Sequence, residues 1–510
     1  MKQLPLSKLA RLFTLGLVIG ALPSAHAVNY FWDLSTAAGY TNGDGVWNAT
    51  NTNFTTNGTT ATAWVDGSND AVFGGNNTIA ASPTGDFVVT VEGTFTGNLR
   101  QAANGAGNYT LNSNGGAITI SSGNGVRADQ GIFTVNVNLT RTGTSSMYLT
   151  TSTGATLVLG GANTFNGGIY VQGGSTSAGT VKLNSTNALG TGTGTLQIVS
   201  NDAAGATLDL NGFGLLRTGL IQNAAESSTA AVAATSNLVN NHATTGVTLS
   251  NDIVLRATRK MALGGSGAGL TLNGQIRDST GDPLGKLFTT GTGVLTLGRA
   301  AGNTYTGGTQ VDDSTLLVTN TSGSGTGTGA VQVNATGKLG GTGFIAGATT
   351  IDGTLTAGLV GGIGTLTFTG AGNALTLHDT ANTVMDIANP TPGTGYDRFI
   401  LNGAGNSIVL DGTLTLNMTA LIADGTYDLF TYSVETGEFN ALAFSGGAYA
   451  GTFTNDGFGT WTALSNGQSF SFSEALGDLT VTSVPEPALG TLSLAALGLL
   501  TLVRRRNRSV

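Results

Sequence analysis

Between residues 76 and 480, apolar positions alternate with small polar ones, and helical periods are hard to find. Thr156-Leu157-Val158-Leu159, Thr180-Val181-Lys182-Leu183, Thr207-Leu208-Asp209-Leu210, Val294-Leu295-Thr296-Leu297 and Thr413-Leu414-Thr415-Leu416 each send every second side chain to one face. That period predicts short strands buried on one side. Threonine and valine suit the pleat, while Gly and Asn supply the turns. New strands start after ~12–24 residues, as at Leu157, Val181, Leu196 and Leu208, which is the rhythm of coils in a solenoid. Inward side chains would then stack on their counterparts in the next coil, and the core would grow along one axis.

A longer duplication lies on top of this rhythm. Asn163-Thr164-Phe165-Asn166-Gly167-Gly168 follows one strand, and Asn303-Thr304-Tyr305-Thr306-Gly307-Gly308 follows another. The aromatic is expected to anchor the turn in the core. The paired glycines are expected to permit positive φ, and the asparagine to bond its own backbone or to ladder with others.

These segments resemble the autotransporter-associated β-strand repeat, strongly at 154–171 and 291–318. The likeness is looser through Lys338-Leu339-Gly340-Gly341-Thr342-Gly343 and Ile351-Asp352-Gly353-Thr354-Leu355-Thr356. The resemblance implies a right-handed parallel β-helix displayed outside the cell. A terminal membrane barrel of the autotransporter kind, whose strands would alternate between lipid and lumen, is not expected here. Export would therefore use other machinery.

The two ends read as addresses. Lys2, Lys8 and Arg11 precede the apolar run Leu12–Leu22 and the small-x-small site Ala25-His26-Ala27. This order predicts a secretory signal peptide over 1–27, cleaved before Val28. At the other end, Val484-Pro485-Glu486-Pro487 leads into the apolar run 488–503 and then Arg504-Arg505-Arg506. This segment, 484–510, resembles the PEP-CTERM sorting signal of exopolysaccharide-associated bacterial proteins. The resemblance implies a single hydrophobic helix lying transiently in the inner membrane through 488–503. It also implies an exosortase-type membrane protease as partner, removal of the tail, and delivery to the cell surface or extracellular matrix.

Aromatic residues concentrate beside these addresses. Trp32, Trp47 and Trp64, with Tyr30, Phe31, Tyr40, Phe54 and Phe73, predict an N-terminal cap over 28–75, since a solenoid must cover its open ends. The β-helix is expected over 76–395, and the last coils with an antiparallel C-terminal cap over 396–483. Coils of about 20–25 residues give roughly 13–16 turns. At ~4.8 Å per turn the rod would be about 60–80 Å long. The expected fold is thus all-β: a right-handed parallel β-helix with N- and C-terminal caps, plus one C-terminal hydrophobic helix.

Composition narrows the chemistry. The 510 residues include 81 glycines and no cysteine, which removes disulfides, thiolate metal sites and cysteine nucleophiles. Between the two terminal addresses the chain carries 13 basic and 27 acidic groups, a net charge of −14. Such a surface repels phosphate backbones, so no nucleic-acid partner is expected. His242 and His378 are the histidines outside the leader, and no Gly-x-Ser-x-Gly elbow accompanies them. The adjacent acids Asp312-Asp313 would point to opposite faces if they lay in a strand. The dense basic group Arg256, Arg259 and Lys260, near Asp252, could grip an acidic sugar, though such a group is more often a solvated face. No calcium-roll nonapeptide and no phosphate loop appear. The expectation is a non-catalytic structural or adhesive solenoid without cofactor or metal, with extracellular polysaccharide as a partner. The rival readings are a polysaccharide-active β-helix lyase or glycosidase, and an autotransporter-like passenger.

Overall fold

The computed structural model describes residues 27–485, apart from 36, 77–82, 103–106, 122–124, 142, 153, 174–178, 200–204 and 225–233. The expected leader with Ala25 lies outside the described residues, as does the tail from Glu486 onward, with Pro487, the expected helix and Arg504–Arg506. Ala27 and Pro485 are the exposed ends of what is described.

The described residues form strands and no helix, so none of them makes a helix long and apolar enough to cross a membrane. The chain winds into a parallel β-solenoid of about 14 turns, within the expected range. At ~4.8 Å per turn this corresponds to a stack of roughly 65 Å.

One sheet, here called the second, runs the whole length. Its sixteen strands are all parallel, from Gly45–Trp47 to Val434–Gly437. A first sheet flanks it down to Ile276–Asp278, and a four-stranded sheet from Phe344–Ile345 to Phe430–Thr431 follows later in the chain. A third, nine-stranded sheet begins at Val247–Leu249 and ends at Ala441–Ser445.

The core follows from the register. Tyr109, Phe133, Leu157, Val181, Leu208, Leu238 and Leu263 are successive Cα partners in the second sheet, and all are fully buried. Each such side chain contributes about 1.5–3 kcal/mol on burial. Ranks of this kind join into one apolar cluster extending from Trp32 to Val481. The alternation that buries one rank turns the next outward, so solvent-facing side chains also form rows with one member per turn.

The ends are aromatic. Trp32 and Trp47 pack on Phe54, and Trp47 stacks on Phe95 with centroids 5.1 Å apart. Trp32 and Trp47 already belong to parallel rungs, while the hairpin of Phe54–Thr55 and Ala61–Thr62 lies antiparallel along the edge strand Asn29–Trp32. At the far end, five antiparallel strands between Gly425 and Ser483 form a separate sheet. Its Phe470 and Phe472 meet Phe444, Phe430 and Phe439 of the last coils.

Candidate ligand-binding face

The duplicated motif builds corners. Phe165 and Tyr305 are buried, as expected of anchors. The Tyr305 hydroxyl lies 2.6 Å from the Thr309 hydroxyl, and burial raises its pKa well above the usual tyrosine range. The asparagines act differently from the expectation of local bonding. Asn163 Oδ1 accepts from the Leu139 N–H at 2.8 Å, and its Nδ2 donates to the Ala188 carbonyl at 2.7 Å. Asn303 repeats the pattern with the Ile276 N–H at 2.8 Å and the Gly325 carbonyl at 2.7 Å. Each side chain therefore ties its own coil to the one before and the one after.

The glycines also depart from the expectation of positive φ at each pair. Of the four, Gly308 alone has positive φ, at 92°. Gly167 and Gly307 are instead required by close packing of backbones. A Cβ on Gly167 would sit 2.2 Å from the Ser145 carbonyl oxygen, and one on Gly307 would sit 2.0 Å from that of Leu284. Gly168 is less tight, with the Ser146 hydroxyl at 3.1 Å. A residue that sequence reasoning missed completes this region. Arg217 is almost fully buried, and its guanidinium donates to the carbonyls of Leu189, Gly194 and Gly167. Desolvation holds its pKa down at about 10.

Of the candidate catalytic groups, Asp312 and His378 stand in one column, each directly after a strand of the second sheet, with Asn334 and Asp352 at the matching positions between them. His242 Nδ1 accepts from the Thr245 N–H at 3.0 Å, closing its own turn. His378 Nδ1 lies 2.5 Å from Asp352 Oδ1 on an exposed surface. Asp312 and Asp313 sit in a bend, not a strand. Asp312 Oδ1 accepts from the Gln310 amide, and Asp313 accepts from the Thr336 hydroxyl. Among the described residues, no group of three His, Asp or Glu side chains could hold a metal ion.

The basic group 256–260 is not one surface. Arg259 is buried, with Nη1 donating to the Thr258 carbonyl at 2.7 Å, and Arg256 is half-buried. Only Lys260 stands exposed. Its neighbours come from the next turn. Met261 is in register with Leu287, which places Lys260 and Lys286 at matching positions in adjacent rungs. Both ammonium groups reach Phe288, at 5.8 and 5.1 Å from the ring centroid, within cation–π range. Lys286 Nζ also donates to Gln310 Oε1 at 2.9 Å. The outward row continues from Phe288 through Gln310, Gln332, Thr350 and Thr376.

Earlier along the same sheet, Ile132, Thr134, Thr156, Val158, Thr180 and Lys182 line an open trough of about 550 Å³. On the first sheet, Tyr148 and Tyr170 stack with centroids 4.7 Å apart, and Gln197 and Gln222 extend their row. The arrangement offers rows of hydroxyls, amides and occasional aromatic rings, suited to many weak contacts with an extended polar ligand. No family model matches the chain, and no curated protein matches it.

Proposed function

We propose that this chain is an exported structural or adhesive β-solenoid of the cell surface or extracellular matrix, and that it acts without catalysis. In this reading the leader 1–27 directs export. The tail 484–510 is a sorting signal of the PEP-CTERM kind, held briefly in the inner membrane through 488–503 and removed by an exosortase-type protease. The body is a right-handed rod. Its N-terminal aromatic segment and C-terminal antiparallel sheet serve as caps that blunt the open strand edges. The corners carry repeats of the autotransporter-associated type.

The observation that carries the reading is the unbroken second sheet, in which Phe288, Gln310, Gln332, Thr350 and Thr376 form one outward row across successive rungs. Extracellular polysaccharide fits such a surface, because an extended polymer can contact many rungs at once, each contact being weak alone.

The test is cell fractionation of the intact chain beside a version ending at Ser483. The intact chain should reach the surface or matrix fraction with its tail removed, and the shortened chain should fail to be retained there. Identical distribution of the two would overturn the sorting role. Turnover of an acidic polysaccharide that is lost in Asp352→Asn would replace the non-catalytic reading with an enzymatic one.

A further inference from the structure

We propose that Lys260, Lys286 and Phe288 form the anchoring site for an acidic heteropolysaccharide, one whose carboxylates are spaced among neutral sugars. This rests on the reading of the rod as a polysaccharide-binding surface, and it names both the place and the ligand class.

The body between the terminal addresses carries a net charge of −14 and has four lysines: 182, 260, 286 and 338. Two of these four occupy matching positions in adjacent rungs and approach one ring. Among the described residues, neither ammonium has a carboxylate within salt-bridge distance. The nearby acids have other partners: Asp282 accepts from the Thr258 hydroxyl, and Asp312 accepts from the amides of Gln310 and Asn334.

Like charges in matching cross-strand positions repel each other. An anion bridging the two lysines would convert that repulsion into attraction. Lys286 is already held by Gln310 and by the ring, so less side-chain freedom remains to be lost on binding.

The surroundings select the class of anion. Phe288 adds apolar surface for the carbon face of a sugar. Gln310, Gln332, Thr350 and Thr376 continue the row and can exchange hydrogen bonds with hydroxyls. Asp282, Asp312 and Asp352, bonded to Thr258, Gln310 and Gln332 along the same stretch, disfavour a densely charged polyanion such as polyphosphate. A glycan lying along the axis would meet one rung every ~4.8 Å, comparable to the length of one pyranose.

Affinity electrophoresis of the exported protein tests this, in gels containing xanthan (spaced carboxylates), dextran (neutral) or polyphosphate (dense charge). Xanthan should retard the protein, dextran much less, and added salt should weaken the effect. The double variant Lys260→Gln/Lys286→Gln should lose about tenfold in affinity for xanthan. Lys260→Arg/Lys286→Arg should retain it, as should Lys338→Gln, which lies on another sheet. Equal melting curves for all variants would confirm that folding is untouched.

Xanthan binding unchanged in the glutamine double variant would overturn the inference, and so would a preference for polyphosphate. Retardation by dextran as strong as by xanthan would overturn the acidic class while leaving polysaccharide binding in place. If no polymer binds, the inference falls. The surface location is then decided separately by fractionation.

Discussion

Asn303 Oδ1 accepts the backbone N–H of Ile276 from the preceding coil at 2.8 Å, while the same side chain donates to Gly325 in the following one. Asn303→Ala leaves that N–H and that carbonyl buried without partners, at ~1–3 kcal/mol each. The expected loss is therefore about 2–6 kcal/mol, read as a lowered midpoint of urea unfolding. Asn163→Ala should behave alike. Asn303→Asp should not rescue, because it replaces the donor with a carboxylate facing a carbonyl.

Glycines should divide by their surroundings. Gly307→Ala would force a Cβ to 2.0 Å from the Leu284 carbonyl oxygen, and should destabilise by about 1–3 kcal/mol or more. Gly281→Ala meets nothing within 4 Å and has ordinary φ. It should be neutral or slightly stabilising, since it restricts the unfolded chain. Melting curves of the two variants give the comparison directly.

Arg217 holds three carbonyls from a buried position with a planar fork that lysine cannot reproduce. Arg217→Lys should thus cost about 1–3 kcal/mol, and Arg217→Met more, because every acceptor is then abandoned. A conservative variant that melts with the wild type would contradict this role.

Asp397 supplies a pH dependence. Burial pushes its pKa up to about 7, against the pull of N–H donors from Gly364 at 2.9 Å and Asp386 at 3.0 Å. The folded value lies above the unfolded one of ~3.9, so the fold favours the protonated acid. Its contribution is fully present below about pH 4 and is lost as pH rises through about 7. Between those limits, wild-type melting temperatures should decline relative to those of Asp397→Asn. Parallel curves for the two proteins would contradict the assignment.

The period of the core was legible because inward ranks must repeat: Leu157 and Val181 differ by one turn and are Cα partners. The Lys260–Lys286–Phe288 site was not, although its signal is a 26-residue spacing between two lysines. Turn lengths vary, from 24 residues between Thr156 and Thr180 to 30 between Thr207 and Asn237 and 18 between Val331 and Thr349. Loops absorb these differences outside the core, so the sequence alone does not reveal which outward residues share a row. Proximity along the chain misled in the same way at Arg259, which lies next to the exposed Lys260 yet is buried. The motif residues were found, but their mechanism was not, because close approach between coils leaves no mark in one strand of text.

The most direct test of an extracellular rod presenting this face is labelling of intact cells with a membrane-impermeant amine reagent, followed by peptide mass spectrometry. The account predicts modification of Lys260 and Lys286 on unbroken cells, with xanthan protecting both and leaving Lys338 reactive. Labelling of these lysines only after lysis would contradict it.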